Sequence, residues 1–332
     1  MPSGLTTRLA TSSRLSACPP VRYSLPVPFN ISGPLPRAPL TRFAPAPTGH
    51  LHLGHAANAV WVWGIARALG GRVLLRIEDH DRSRCRPVYE SALLDDLDWL
   101  GLEPDLAPAA AYRAGPCEFR QSERGAHYTR ALETLRAVGL VYACDCSRRT
   151  LAEEAGDLRD VETPYSGKCR ERGLPAAPGR GLRVRLSPGS ETFDDLRLGT
   201  QEQVPSAQCG DLLIQDRLGH WTYQFAVTVD DWLEGVTLIV RGEDLLSSTG
   251  RQLQLARLLG RAAPPRFLHH PLIQNPGGGK LSKANRDTGL RDLRAGGARP
   301  EEVLGAAAHA TGLLTEPRAL GTDELAALFR VT

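Results

Sequence analysis

Lysine is nearly absent from this chain: three residues stand against thirty-seven arginines. A composition that replaces lysine by arginine almost everywhere keeps it where a compact, flexible point charge serves and a planar fork does not. Two of the three, Lys280 and Lys283, fall in Gly277-Gly278-Gly279-Lys280-Leu281-Ser282-Lys283, a glycine-rich loop suited to a phosphate in motion. Acidic residues are missing before Glu78, and eight prolines with Arg8, Arg14, Arg22 and Arg37 crowd the first forty positions. Such a segment cannot build a core, and disorder is expected up to about Pro39. It has the look of an organelle transit peptide; the preferred alternative is a start codon set too early in an Arg-, Ala- and Gly-biased gene. No apolar run reaches the length of a membrane span. Seven unevenly spaced cysteines exclude a regular disulfide framework, and Cys144 with Cys146 reads as a pair of reduced ligands in a reducing compartment, the cytoplasm. A net charge of only +3 permits contact with nucleic acid without arguing for it.

What is present suits an enzyme. With 332 residues, 42% of them hydrophobic and 23% charged, the chain can bury one large core or two smaller ones. Arg42-Phe43-Ala44-Pro45-Ala46-Pro47-Thr48-Gly49 leads into His50-Leu51-His52-Leu53-Gly54-His55, then an apolar run from Ala56 to Leu69 and Gly70-Gly71. That reads as strand, turn and helix. Val60, Trp61, Val62, Trp63 and Ile65 make the helix apolar on nearly every face, so it should be buried and stopped by the glycine pair. His52 and His55 then stand at its amino end, where orphan N–H groups and the helix dipole favour a triphosphate. The run from Arg72 to Asp79 reads as a buried parallel strand ending in carboxylates. Ligands of open α/β sheets lie beyond the carboxyl ends of strands, so Glu78 is placed to meet an amino group, while Asp79 equally suits a helix cap.

From Glu118 to Leu140 the spacing of Tyr128, Leu132 and Leu135 gives an amphipathic scaffold helix closed by Gly139. Cys144, Cys146 and, further on, Cys169 suit a tetrahedral zinc, against the alternative of buried free thiols. Tyr165 is a candidate fourth ligand. The runs from Trp221 to Asp231 and from Leu238 to Asp244 read as β-rich, flanking a turn at Gly235.

Two of these motifs resemble the signatures of class I aminoacyl-tRNA synthetases: His52-Leu53-Gly54-His55 and the Lys280-Leu281-Ser282-Lys283 loop, in the right order at opposite ends of the domain. Arg76-Ile77-Glu78-Asp79 followed by Asp81 resembles the glutamyl and glutaminyl branch. Cys-x-Cys followed by Tyr-x-x-x-Cys, at Cys144, Cys146, Tyr165 and Cys169, is most similar to the glutamyl-queuosine tRNA(Asp) synthetases. The resemblance runs from Thr41 to about Gly312. It implies an α/β fold, the class I Rossmann-like doubly wound parallel sheet with an inserted zinc-bearing subdomain. The divisions expected are an extension at 1–39, the first half of the catalytic domain at 40–115, the insert at 116–205, the second half at 206–290 and a short helical segment at 291–332.

The same resemblance implies ATP-dependent activation of L-glutamate without tRNA, then transfer to the queuosine at the wobble position of tRNA(Asp). His52, Gly54, His55 and Lys283 would bind ATP, with Lys280 joining the histidines and Lys283 in stabilising the charge of departing pyrophosphate. Arg42, Phe43, Ala44, Pro45, Ala46, Glu78, Tyr223 and Arg241 would hold glutamate, arginine forks on its carboxylates and Glu78 on its ammonium. Cys144, Cys146, Tyr165 and Cys169 would hold one structural Zn2+, and Mg2+ would accompany ATP. Two departures stand out: Ala46 replaces a usual serine, removing one hydroxyl contact, and Ala284 replaces the serine of the wider class. Other readings stay open, a shortened glutamyl-tRNA synthetase charging tRNA(Glu) and a non-catalytic paralogue binding tRNA. Only 49 residues follow Lys283, short for an anticodon-binding region, which weighs against the first; the intact histidines and lysines weigh against the second. A monomer is expected.

Overall fold

The computed structural model describes residues 36–155, 164–273 and 289–330. The expectations placed on residues 1–35, Lys280, Lys283 and Ala284 lie outside them. In chain order the elements are β1 (Leu40–Phe43), α1 (Leu53–Ala68), β2 (Arg72–Leu75), α2 (Pro87–Leu100), α3 (Ala109–Arg113), α4 (Gly125–Ala137), β3 (Val141–Cys144), α5 (Arg148–Ala155) and β4 (Gly181–Val184). Then come β5 (Glu191–Asp195), β6 (Gly199–Gln203), α6 (Pro205–Cys209), β7 (Leu212–Gln215), α7 (Tyr223–Leu233), β8 (Leu238–Gly242), α8 (Thr249–Leu258), β9 (Arg266–His270), α9 (Leu290–Ala295) and α10 (Pro300–Ala310).

Parallel strands dominate the main layer. β1 pairs with β2, β8 with β9, and β9 with β5 through Asp195 and Phe267, while β6 folds back antiparallel on β5. The two parallel groups meet at β1 and β8, where Leu40 O accepts a hydrogen bond from Thr237 N at 2.9 Å and Arg42 Nη1 donates to Val240 O at 3.3 Å. The chain steps from β1 to β2 on one side and later to β9 on the other, so the β1–β8 seam is the point where the winding reverses. A crevice beyond the carboxyl ends at such a point is where α/β sheets bind ligands.

Side chains of β8 and β9 alternate between two cores. Leu238, Val240 and Leu268 pack into the cluster that holds α1, whereas Ile239 and Phe267 join Phe193, Val236 and Leu253 on the opposite face. Both faces are covered, as parallel strands require. α1 is buried from Ala56 through Ala66 except at the half-buried Asn58, as its nearly all-round apolarity predicts, and Gly70 takes the left-handed φ of 63° just beyond it. Ala38 N donates to Leu69 O at 3.2 Å and Pro39 O accepts from Arg72 N at 2.8 Å, tying the chain to the body just before β1.

A second, antiparallel sheet, β3-β4-β7, sits in the middle of the sequence. Its core unites α4, β3, β4, β7, α7 and α8 through Tyr128, Leu135, Val184, Ile214, Phe225 and Leu255. β7 lies beyond residue 205 and still belongs to this sheet, while β5 and β6, at 191–203, pair with the main one.

One expected element is overturned. The run from Trp221 to Asp231 is not β-rich; from Tyr223 it forms α7. Its β-branched residues favour strand in isolation, but Phe225, Ala226 and Val229 recur on one helical face that fills the second core, and Thr228 Oγ1 satisfies itself on Gln224 O at 2.7 Å. Packing of an amphipathic face outweighs local propensity here. The scaffold helix is also shorter than the span from Glu118: α4 begins at Gly125, after a short 3-10 turn at Gln121–Glu123.

Candidate active site

α1 opens on its histidines. His52 is the N-cap in extended conformation; its Nδ1 accepts from Gly54 N at 3.1 Å, and His52 N donates to Nδ1 of His55 at 3.2 Å. The rings lie 4.0 Å apart. This is a capping box built from imidazoles. Because both Nδ1 atoms accept from backbone amides, the neutral rings carry their protons on Nε2, as donors. Gly54 is required by the close fit: a Cβ there would lie 2.9 Å from His52 Cε1.

β1 and β2 keep parallel pairing beyond their ends. Arg76 N donates to Phe43 O at 2.9 Å and Glu78 N to Pro45 O at 3.1 Å, which sets Glu78 beside the Pro45-Ala46 segment. Under this seam lies a buried ion cluster. Arg42 Nε donates to Asp231 Oδ1 at 2.9 Å; Arg76 Nη1 reaches the same oxygen and Glu234 Oε2, each at 2.8 Å; and Arg76 Nη2 donates to Glu78 Oε1 at 3.1 Å. The Arg76 side chain is fully buried. Burial opposes the charge on Asp231, yet Arg42 and Arg76 overcome it and hold the carboxyl at about 2. Burial wins at Glu78, whose pKa is raised in spite of Arg76 and Arg42. Asp79 accepts from Ser122 N at 2.8 Å, in the short 3-10 turn at Gln121–Glu123, and does not cap the next helix, α2.

β8 delivers Arg241. Its Nε donates to His269 Nε2 at 3.1 Å, Nη1 to Gln252 Oε1 and Nη2 to Thr249 Oγ1, both at 2.7 Å, and Tyr223 also interacts with it. One cavity is lined by His52, Gly54, His55, Arg241, Gly242 and Asp244, so the histidine pair and Arg241 border a common space. A second cavity is lined by Tyr165, Arg183, Asp211, Tyr223 and Gln224.

In the antiparallel sheet region the sulfurs of Cys144, Cys146 and Cys169 come within 4.8 Å of one another. Cys146 and Cys169 are 3.6 Å apart, and the Tyr165 hydroxyl lies 3.5 Å from Cys144 Sγ. A tetrahedral ion with sulfur at ~2.3 Å spaces neighbouring sulfurs by about 3.8 Å, so the donor set fits a metal. Burial acts against the Cys144 thiolate, but hydrogen bonding with Tyr165 and Arg183 keeps its pKa below the ordinary thiol value, whereas burial pushes Cys146 up to about 12. Gly210, at φ 64°, lets the chain pass under Tyr165; a Cβ would lie 2.1 Å from the Tyr165 carbonyl oxygen.

The profile of the tRNA synthetases class I (E and Q), catalytic domain, matches residues 40–308. Over 298 residues the chain is 42% identical to the glutamyl-Q tRNA(Asp) synthetase of Symbiobacterium thermophilum, covering 87% of this chain and 91% of that protein. The chain belongs to this synthetase family. The glutamyl-Q tRNA(Asp) synthetase of Rhodobacter capsulatus is 41% identical, with 80% of this chain and 98% of that protein covered. Among solved structures, a glutamate tRNA ligase from Elizabethkingia meningosepticum in complex with its amino acid matches with a TM-score of 0.73 at 27% identity over 89% of this chain. The chain spans 65% of that ligase.

In this synthetase Arg42, Glu78 and Arg241 lie near Tyr223, Arg241 also borders the cavity of the histidine pair, and the cysteines lie in the antiparallel region. Sequence reasoning missed Arg76, Asp231, Asp195 and His269, which are buried and hydrogen-bonded, directly or through one another, to Arg42, Glu78 or Arg241. A basic residue inside the apolar stretch Val73–Ile77 was the one local signal for Arg76. No helix among the described residues is long and apolar enough to cross a membrane.

Proposed function

We propose that this chain activates L-glutamate with ATP, without tRNA, and transfers the glutamate to the queuosine at the wobble position of tRNA(Asp). The observation that carries the reading is the shared cavity: Arg241, whose guanidinium is buried, lines the same space as the paired histidines at a helix amino end. That combination supports a carboxylate receptor beside a triphosphate site. The relatives that align over nearly their whole length supply the acceptor.

In this reading Arg241 with Tyr223 receives one end of glutamate, and Arg42 and Glu78 the other, Glu78 taking the ammonium. Phe43, Ala44, Pro45 and Ala46 form the wall that the continued β1–β2 pairing holds beside Glu78. The glutamate carboxylate attacks the α-phosphorus of ATP and pyrophosphate leaves. His52 and His55 offer Nε2–H groups to phosphate oxygens; with Gly54, Lys280 and Lys283 they position and neutralise the departing charge and transfer no proton. A hydroxyl of the queuosine cyclopentenediol then attacks the adenylate carbonyl and AMP leaves. Cys144, Cys146, Cys169 and Tyr165 would hold a structural Zn2+, which would fix the cysteine segments against one another, and Mg2+ would enter with ATP. The active species is a monomer in the cytoplasm.

The test is glutamate-dependent exchange of labelled pyrophosphate into ATP with no tRNA present, followed by transfer of labelled glutamate to purified tRNAs. Exchange should proceed alone, and label should stay on tRNA(Asp) only when queuosine is there. Label at the 3′ end of tRNA(Glu), or on queuosine-free tRNA(Asp), would overturn the assignment.

A further inference from the structure

Behind Arg241 lies a pair that the chemistry above does not use. Asp195, at the end of β5, and His269, in β9, are both fully buried. Asp195 Oδ1 accepts from the backbone N–H groups of Arg197 and Leu198, each at 2.9 Å. Its Oδ2 accepts from His269 N at 3.0 Å and lies 2.6 Å from His269 Nδ1. Three backbone donors and the ring nitrogen therefore surround a carboxylate that has only acceptors to offer. His269 Nδ1 must be its donor, which leaves Nε2 as an acceptor, and that atom receives Arg241 Nε–H. Thr249 Oγ1 sits 3.2 Å from the same Nε2 and accepts from Arg241 Nη2. Burial lowers the His269 pKa despite Asp195, consistent with a neutral ring.

We infer that Asp195 and His269 are positioning residues for the glutamate receptor: the aspartate fixes the imidazole tautomer, and the imidazole fixes the plane and reach of the Arg241 guanidinium. Three of the five guanidinium N–H groups are committed to His269, Gln252 and Thr249 and Tyr223 is a further hydrogen-bond partner, so the fork is held on several sides and its remaining terminal N–H is the contact left for a carboxylate. A guanidinium held from behind in this way loses little freedom when the ligand arrives, which is the advantage of a preorganised site. Gln252 is itself held by Gln224 at 2.8 Å, and Gln224 donates to Ser248 at 2.9 Å, so the bracing continues into α7 and α8. This inference rests on the reading of Arg241 as a glutamate contact.

Asp195→Asn keeps the shape and reverses the logic. An amide facing Nδ1 turns the ring to its Nε2–H tautomer, which points a donor at the Arg241 Nε–H, the same tautomer fault that an asparagine causes behind a catalytic histidine. His269→Leu removes the acceptor, whereas His269→Gln restores a carbonyl for Arg241 and an N–H for Asp195. Pyrophosphate exchange measured against glutamate and against ATP separates the outcomes. Asp195→Asn and His269→Leu should raise the KM for glutamate about ten- to a hundredfold, the cost of a hydrogen bond to a charged group, with the KM for ATP within about twofold; His269→Gln should return most of the loss. Melting curves identify folded variants, and if Asp195→Asn does not fold, the Leu and Gln forms of His269 decide between them. Equal glutamate KM in those two, or an unchanged one in folded Asp195→Asn, overturns the inference while a raised KM in Arg241→Gln leaves the pocket reading standing. An unchanged glutamate KM in Arg241→Gln overturns both.

Discussion

Arg76→Met tests the ion cluster under the β1–β8 seam. The guanidinium is fully buried and touches Asp231, Glu234 and Glu78 at 2.8, 2.8 and 3.1 Å. Methionine preserves much of the volume but leaves these carboxylates facing one another, with Arg42 and Arg124 as the ion-pair partners still in contact. Breaking one buried pair costs about 3–5 kcal/mol. A loss in that range is expected at pH 8, limited there by proton uptake. Burial already raises Glu234 to about 7 with Arg76 present, and raises Glu78 as well. A carboxyl with a raised folded pKa contributes stability below its unfolded value and loses it as the pH rises through the folded one. Removing the cation moves both further up, so at pH 5.5 they bind protons and the deficit should shrink by about half, each pKa unit being worth ~1.4 kcal/mol. Urea unfolding of both proteins at the two pH values reads the difference directly. Adding Glu234→Gln should recover part of the loss at pH 8 and little at pH 5.5. A deficit under about 1 kcal/mol at pH 8, within the range of ordinary substitutions, or one that does not change with pH, would refute the reasoning.

Two further outcomes are expected. Purified protein should carry about one zinc per chain, and Cys144→Ser or Cys169→Ser should release it and destabilise the antiparallel region, since binding energy at a structural site is also folding energy; elemental analysis that finds no metal in carefully prepared protein would refute the site. Asp96 is 3% exposed with Oδ2 lacking a hydrogen-bond partner, and burial pushes its carboxyl up to about 6. The stability it contributes is present below its unfolded pKa and lost as pH rises through about 6. Asp96→Asn should therefore be more stable than the parent by about 1–2 kcal/mol at pH 8 and lose that advantage near pH 4, as thermal melts at both values would register.

Much of the nucleotide-binding half was legible because its signals are local. The apolar run after Ala56 has no polar face and becomes a buried helix, and His52 and His55 fall at its amino end because a strand, a proline turn and a helix follow in immediate succession. The cysteine cluster was equally readable, since Cys144 and Cys146 share one short segment and Cys169 returns to it. α7 was not readable. Val227, Thr228 and Val229 favour strand by their side chains, and only the neighbouring sheet, β7, shows which face they must bury. Arg76, Asp195 and His269 were missed for a related reason: a charged or polar residue in an apolar strand is explained only by its partner, and those partners lie far along the sequence.

That distance shapes how the site is assembled. Arg42 and Arg76 find Asp231 across separations of 189 and 155 residues, with the whole antiparallel region between them. Closing such loops costs chain entropy before any contact repays it, and long separations slow folding. As the chain leaves the ribosome, β1, α1 and β2 emerge with two arginines destined for burial and no carboxylate from α7 to meet them. The first half of the crevice thus has to wait, its guanidinium groups solvated, until roughly two-thirds of the protein has been made. A truncated nascent chain ending before α7 would hold the histidine pair and the first strands but not the ion cluster around Glu78, so this part of the crevice is completed late.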